Sequence, residues 1–156
     1  MAIPYLSNNF FHPKCKGLKN LDLKDKRVVV VGGGQTGSEI YLPQINNESS
    51  VMKFSKLEDK SKLIKNYFGI SEALGTKEIM PEYLDLILLP CVCFDKLGYR
   101  IGMGKGYYDY SLEKLSRETN KIFILAHEFQ KVDNCFPENH DIKAQGCITD
   151  SEFYIF

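Results

Sequence analysis

Several features that would point to common protein classes are missing from this sequence. No run of about 18 consecutive apolar residues occurs, so we expect no membrane-spanning helix. Neither sign of charge is in excess, because 20 Lys and Arg balance 20 Asp and Glu, and we therefore expect neither nucleic acid nor a membrane as a partner. No Cys-x-x-Cys pair occurs among the five cysteines, so we expect no zinc site. The first residues also lack the basic start and apolar stretch of a secretory signal.

The composition that remains is that of a globular domain. Hydrophobic residues make up 44% of the 156 residues, which is enough for one domain with a core of its own. Apolar and β-branched runs predict strands at residues 27–31, 50–54, 85–89, 121–126, 147–149 and 153–156. Helical periodicity and capping residues predict helices at residues 38–42, 56–68 and 107–117. Strands that alternate with helices predict an α/β layered domain with a largely parallel central sheet flanked by helices.

A glycine occupies every second position from Gly102 to Gly106. Such a loop can bring its backbone close to a ligand, and its successive N–H groups can point inward to hold an anion. The helix predicted from residue 107 would add free amide groups, and Arg100 and Lys105 add two cations. The pattern favours a polyphosphate as the ligand, with Asp109 placed to hold Mg²⁺ beside it. The alternative is a tight loop with a purely structural role.

The glycine loop belongs to a longer pattern of residues. Its members are the run at residues 85–90, then Phe94, Asp95, Gly98, Arg100, Gly102, Gly104, Gly106, Tyr107, Tyr108 and Asp109. Further segments of the same pattern are residues 41–43, 52–54, 67–72, 127–130, 137–141 and 148–150. Together they resemble the 5-formyltetrahydrofolate cyclo-ligases, also called methenyltetrahydrofolate synthetases, over residues 41–156.

This resemblance implies a reaction in which 5-formyltetrahydrofolate and MgATP give 5,10-methenyltetrahydrofolate, ADP and phosphate. It implies an ATP site formed by Arg100, Gly102, Met103, Gly104, Lys105, Gly106, Tyr107 and Tyr108. Within that site, Lys105 and Arg100 would stabilise charge on the transferring phosphoryl group. The carboxylates of Asp109 and Asp141 would ligate Mg²⁺.

The resemblance also implies that Phe94, Tyr107 and Tyr108 contact the folate. Each of these assignments has a structural alternative, because aromatic side chains are more often core residues. A loop carboxylate such as Asp141 is likewise more often a turn or capping residue. With small molecules as substrates and reduced thiols, we expect a cytoplasmic monomer.

Residues 1–40 follow a different pattern. Gly32, Gly34 and Gly37 come after the strand predicted at residues 27–31 and satisfy G-x-G-x-x-G. This segment resembles the NADPH-binding part of flavin-dependent N-hydroxylating monooxygenases. We therefore expect an atypical segment at residues 1–40 and a cyclo-ligase-like domain at residues 41–156, within one compact domain overall. The alternative is that the first segment adds an edge strand and a tight turn to the same sheet.

Three functions remain open from the residues alone. The first is an Mg²⁺- and ATP-dependent folate cyclo-ligase. The second is a non-catalytic nucleotide-binding remnant, because the helices with which the family begins are not recognisable in residues 1–40. The third is an NADPH-binding module centred on residues 32–37.

Overall fold

A computed structural model describes residues 27–29, 39–45, 49–58, 62–66, 71–74, 77–115 and 121–156. The strands in these ranges are β1 (Arg27–Val29), β2 (Glu39–Gln44), β3 (Lys53–Lys56), β4 (Lys62–Lys65), β5 (Ser71–Leu74), β6 (Glu78–Ile79), β7 (Leu86–Pro90), β8 (Cys93–Asp95), β9 (Arg100–Ile101), β10 (Lys121–Leu125), β11 (Lys131–Val132), β12 (Gly146–Ile148) and β13 (Phe153–Ile155). They are accompanied by one α-helix, α1 (Tyr107–Leu112), and by 3₁₀ turns at Pro81–Tyr83 and Glu128–Gln130. Within the described ranges, no helix has the length and apolar character needed to cross a membrane.

The main sheet has eight strands in the order β13-β12-β10-β7-β1-β2-β3-β6. Its inner strands, from β12 to β2, all run parallel. The outer pairs β12–β13, β2–β3 and β3–β6 are antiparallel. The predicted parallel arrangement is therefore confirmed for the centre of the sheet, whereas the sheet as a whole is mixed. Two smaller sheets have the orders β11-β8-β9 and β4-β5.

The central strands β7 and β10 are buried on both faces of the sheet. Since successive side chains of a strand point to opposite faces, Ile87 belongs to one core cluster, and Leu88 and Phe123 belong to another. The first cluster also contains Phe94 of β8 and Leu112 of α1. The small sheet and the helix that carry the glycine loop are thus packed on one defined face of the main sheet.

Several predicted elements are found close to their expected positions. The strands expected at residues 85–89, 121–126, 147–149 and 153–156 are β7, β10, β12 and β13. The strand expected at residues 50–54 is shifted and is found as β3. The helix predicted from residue 107 begins there but ends at Leu112, and residues 116–120 lie outside the described part of the chain.

The helix predicted at residues 56–68 is wrong. Strand β4 lies inside this range and pairs with β5, with Leu63 opposite Ala73. Cross-strand pairing therefore outweighs the helical spacing of the apolar residues, which is only a weak preference. Residues 59–61 and 67–70 lie outside the described part. The prediction of flanking helices is thus not confirmed beyond α1.

Strand β2 also replaces a predicted helix, the one at residues 38–42. Ile40, Tyr41 and Leu42 are all buried, and β2 lies between β1 and β3. Consecutive buried residues are typical of a strand that is covered on both faces, whereas a short helix buries one side. Pro43 lies beyond the residues that pair with β1, so its missing N–H does not interrupt that ladder.

Strand β1 places part of the N-terminal segment inside the main sheet. Val28 pairs with Ile40 on one side and with Leu86 on the other. The segment therefore supplies an interior strand, and the alternative that it supplies an edge strand is wrong. The glycine pattern at residues 32–37 lies outside the described part of the chain.

Candidate functional site

The glycine loop follows the carboxyl end of the central strand β7. The chain leaves β7 through the antiparallel hairpin of β8 and β9 and reaches α1 through residues 102–106. Strand β11, which follows the neighbouring strand β10, pairs with β8. The connections after two adjacent parallel strands therefore meet beside the loop. This edge of a parallel sheet is the usual ligand-binding edge of α/β proteins.

Two glycines of the loop face open space. A Cβ atom added at Gly102 or at Gly104 would meet no heavy atom within 4 Å. Gly104 has a φ of 78°, which favours glycine for the backbone alone. Gly102 has no positive φ and no close neighbour, so neither its backbone nor its packing requires glycine. The open side of Gly102 leaves room for a group that approaches the backbone closely.

The loop presents two exposed side chains beside this open space. Met103 is 71% exposed, and Lys105 is also exposed. Within the part of the chain that the structure describes, no hydrogen bond or ion pair engages the Lys105 ammonium. The Lys105 ammonium is therefore available to an anion bound in the open space beside Gly102 and Gly104.

Arg100 joins three segments around the loop. Its Nη2 lies 3.2 Å from both carboxylate oxygens of Asp109, and its Nη1 donates to the carbonyl oxygen of Ile142 at 3.4 Å. The amide of Ile142 in turn donates to Asp109 Oδ1 at 3.1 Å. The pair is largely buried, with 4% of the Arg100 side chain and 15% of the Asp109 side chain exposed. Arg100 therefore fixes Asp109 in place, and its direct contact with ATP stays a prediction.

The bond from the Ile142 amide to Asp109 brings the backbone of Asp141, the second predicted Mg²⁺ ligand, next to Asp109, because Asp141 directly precedes Ile142. Asp141 closes a turn in which its Oδ2 accepts from the amide of Glu138 at 2.7 Å. Nε2 of His140 lies 4.0 Å from Asp141 Oδ1. No group of three or more His, Cys, Asp or Glu side chains suited to a metal is found in the described ranges. A cation at this place would therefore need further ligands from a bound molecule.

The aromatic residues predicted to contact folate pack against the core. Phe94 is fully buried, and its ring centroid lies 6.0 Å from that of Tyr154, which favours the core-packing alternative for this residue. Tyr107 and Tyr108 are partly buried against the same cluster. Burial raises the pKa of the Tyr108 phenol above its ordinary value. Both tyrosines keep exposed surface, so their ligand contacts stay predictions.

Asp95 is a residue of this region whose role could not be assigned from the sequence. It is fully buried, and its Oδ1 accepts from the amides of Leu97 at 2.9 Å and Tyr99 at 3.1 Å. Its Oδ2 accepts from the amide of Cys135 at 3.0 Å. The bond to Leu97 is that of an ordinary Asp turn, in which the side chain accepts from the amide two residues on. The bond to Cys135 depends on how the chain folds.

The described cysteines are free thiols, namely Cys91, Cys93, Cys135 and Cys147. Burial raises the pKa of the Cys91 thiol to about 12 and also raises that of Cys147. These two side chains are therefore protonated at neutral pH and behave as small apolar groups of the core.

Comparison with known proteins gives consistent matches. The model of the 5-formyltetrahydrofolate cyclo-ligase family matches residues 26–150. The 5-formyltetrahydrofolate cyclo-ligase of Escherichia coli strain K12 is 30% identical over 123 residues, covering 77% of this chain and 68% of that protein. The protein of the same description from Haemophilus influenzae is 35% identical over 109 residues, covering 66% of this chain and 57% of that protein.

Solved structures share the fold. The NMR structure of the 5,10-methenyltetrahydrofolate synthetase of Aquifex aeolicus has a TM-score of 0.71 at 25% identity, and the match covers 91% of this chain and 78% of that chain. A 5,10-methenyltetrahydrofolate synthetase from Mycoplasma pneumoniae has a TM-score of 0.63 at 22% identity, covering 83% and 76% of the two chains.

The matched family range corrects one expectation about the N-terminal segment. It begins at residue 26 and includes β1 and β2, which are neighbours in the main sheet. The resemblance of residues 1–40 to flavin-dependent monooxygenases is therefore not supported. The hypothesis of an NADPH-binding module combined that resemblance with the glycine pattern at residues 32–37, which lies outside the described part of the chain, and it is not carried further.

Proposed function

Because the chain belongs to the 5-formyltetrahydrofolate cyclo-ligase family, we infer that it converts 5-formyltetrahydrofolate to 5,10-methenyltetrahydrofolate with ATP as co-substrate. The observation that carries this function is the open glycine loop within the matched range. Gly102 and Gly104 face open space beside the exposed Lys105. A polyphosphate needs both features, namely access to backbone N–H groups and a nearby cation.

The glycine loop supports a site for the phosphates of ATP. No Cβ atom blocks the approach of phosphate oxygens to the amides of Gly102 and Gly104. Gly106, with a φ of 65°, turns the chain from the loop into α1. Met103, at 71% exposure, is the proposed apolar contact of the same ligand. In this arrangement, the exposed Lys105 is the proposed contact of the phosphoryl group during transfer.

Asp109 and Asp141 are the proposed ligands of an Mg²⁺ ion that is shared with the phosphates of ATP. Mg²⁺ usually binds through one or two protein carboxylates together with substrate phosphates, and the bound ion would neutralise phosphate charge. Asp109 is held in place by Arg100 and by the amide of Ile142. The Asp141 side chain keeps 29% of its surface exposed. Among the described residues no third protein ligand joins these two carboxylates, which suits a cation that arrives with ATP.

The chain's own residues contribute positioning and charge stabilisation to the proposed reaction. The formyl oxygen of the folate attacks the γ-phosphorus of ATP, and ADP leaves. The folate N10 then attacks the activated formyl carbon and loses its proton, and phosphate departs with the former formyl oxygen. Lys105 stabilises the charge of the transferring phosphoryl group, and Arg100, whose guanidinium is paired with Asp109, is the proposed second contact of that group. Tyr107 and Tyr108 are the proposed contacts of the pterin or adenine ring.

We further propose that the protein acts in the cytoplasm as a monomer. The described cysteines are free thiols, as expected for a reducing compartment. Sedimentation of the purified protein at several concentrations tests the monomer, and a mass of twice the chain would contradict it.

A comparison of two lysine variants tests the proposed reaction. The methenyl product has an absorbance band that the substrate lacks, so turnover can be followed directly. Lys105→Ala should lower kcat by about 10²- to 10³-fold, because it removes a cation from the transferring group. Lys96→Ala removes an exposed lysine from the β8–β9 turn and should leave kcat unchanged.

Both lysine variants should unfold at the wild-type temperature, since both side chains are exposed. Equal losses of activity in the two variants, or full activity of Lys105→Ala, would contradict the proposed role of Lys105. A non-catalytic remnant would instead bind MgATP in the wild type without any change in absorbance.

A further inference from the structure

Tyr110 follows Asp109 on α1 and lies over the end of the glycine loop. A Cβ atom added at Gly106 would lie 2.9 Å from Cε2 of Tyr110, so the ring covers the turn from the loop into the helix. The same ring stacks on His140, with centroids 6.4 Å apart and planes 4° from parallel. Tyr110 is 52% exposed. It therefore joins the glycine loop to the turn of Asp141 at the surface of the protein.

The segment at residues 135–142 is anchored differently at its ends and in its middle. Its first and last amides donate to the buried carboxylate of Asp95 and to that of Asp109. The residues between, 136–140, are exposed. The ring of Tyr110 on α1 stacks on His140 in this exposed middle part. The two carboxylates, in contrast, bond to the ends of the segment.

We propose that Tyr110 is a positioning residue for MgATP, because its contacts with Gly106 and His140 set the spacing between the glycine loop and Asp141. This inference rests on the proposed function, in which the phosphates bind the loop and Asp141 shares the Mg²⁺ ion. If the turn moved away from the loop, Asp141 and the loop amides could not reach the same phosphate group together. Since the buried anchors hold both ends of the segment, loss of the stack should loosen the turn without unfolding the protein.

The stack can be removed with a matched set of variants. Tyr110→Ala removes the ring, and Tyr110→Phe keeps the ring but loses the hydroxyl. Tyr83→Ala is the control, because Tyr83 is 56% exposed and precedes β7, at the opposite end of that strand from the loop. Titration calorimetry should show about three- to tenfold weaker MgATP binding by Tyr110→Ala, the range expected for one aromatic stack. The KM for MgATP should rise by the same factor while the KM for the folate is unchanged.

Variants of His140, the other ring of the stack, allow a second and independent set of measurements. His140→Ala removes the same contact from the other side. Hydrogen exchange at the amides of Glu138 and Asp141 should be faster in Tyr110→Ala and in His140→Ala than in the wild type. A double variant should bind MgATP no more weakly than either single variant, because the two residues act through one contact.

The inference and the proposed function fail in different ways. Wild-type MgATP affinity and wild-type exchange in Tyr110→Ala would overturn the inference. Additive losses in the double variant, or a loss in Tyr110→Phe or Tyr83→Ala as large as in Tyr110→Ala, would also overturn it. A wild-type protein that binds no MgATP would contradict the proposed function instead. In that case the role of Tyr110 toward MgATP falls with the proposed function, and the exchange rates would report only whether the stack holds the turn of Asp141.

Discussion

The two loops that meet at the site obtain their shapes in different ways. The glycine loop takes its course from its own residues, because Gly104 and Gly106 have φ values of 78° and 65°. Such values are readily adopted only by glycine. The shape of this loop is therefore encoded locally.

The segment at residues 135–142 is shaped by residues that are distant in the sequence. Asp95 and Asp109 hold its ends, and Phe136 within it has a φ of 51°, which is unusual for a residue other than glycine. A loop built from its own glycines can be recognised in a sequence. A loop held by distant carboxylates can be recognised only when the fold is known.

If distant carboxylates hold the segment at residues 135–142, removal of Asp95, the fully buried one, should cause the largest loss of stability. Asp95→Ala leaves three amides without their acceptor, that of Cys135 in a buried bond, and we expect the free energy of unfolding to fall by about 4 kcal/mol. Urea denaturation measures the change. Asp133→Ala removes an exposed carboxylate from the same region and should leave the midpoint unchanged. A loss for Asp95→Ala as small as for Asp133→Ala would show that the anchor is unnecessary.

The second anchor should be somewhat weaker, because Asp109 keeps some contact with water. Arg100→Met leaves the Asp109 carboxylate without its cation, and we expect a loss of about 3 kcal/mol in the free energy of unfolding. The same denaturation measurement applies. The double variant Arg100→Met/Asp109→Asn removes both charges of the pair but keeps an oxygen that can accept from the Ile142 amide, and it should recover part of the loss. A double variant less stable than Arg100→Met would contradict this account of the pair.

Two substitutions in the glycine loop should distinguish the effect of backbone conformation on stability from the effect of an added methyl group on MgATP binding. Gly104→Ala forces alanine into a positive φ and should lower the free energy of unfolding by about 1–2 kcal/mol. Gly102→Ala meets neither a positive φ nor a close neighbour and should change it by less than about 0.5 kcal/mol. Both variants should raise the KM for MgATP, because each adds a methyl group on the open side. Wild-type KM in Gly102→Ala would argue against a ligand at that position.

The smallest expected effect is a gain of stability at Phe136. Phe136→Gly relieves a strained backbone at a residue that is 81% exposed, and we expect a gain of about 0.5 kcal/mol after the entropy cost of glycine. Phe129→Gly is the control, because Phe129 is 84% exposed and has no positive φ. Thermal unfolding should place the two variants on opposite sides of the wild type. A fall in melting temperature for both would rule out strain at Phe136.

The elements that could be predicted from the sequence are those whose signal is local and continuous. β7 and β10 are covered on both faces, so their sequences are unbroken apolar runs. Residues 56–68 misled the prediction because Leu63 and Ile64 also fit the apolar face of a helix. These residues form strand β4 because they pair with β5. A pattern of four residues cannot reveal such a pairing.

The same distinction applies to the site. Lys105 and Asp109 could be selected because they stand in or next to the glycine pattern. The bond from Cys135 to Asp95 and the stack of Tyr110 on His140 join residues 40 and 30 positions apart in the sequence. Contacts over such separations depend on the sheet order and leave no periodic signal in either segment.

The most direct test of the central claim is the growth of the methenyl-folate absorbance band when the purified chain is mixed with 5-formyltetrahydrofolate and MgATP. The account predicts growth of the band that requires ATP and is lost in Lys105→Ala. A folded wild-type chain that binds MgATP but produces no methenyl band would contradict it.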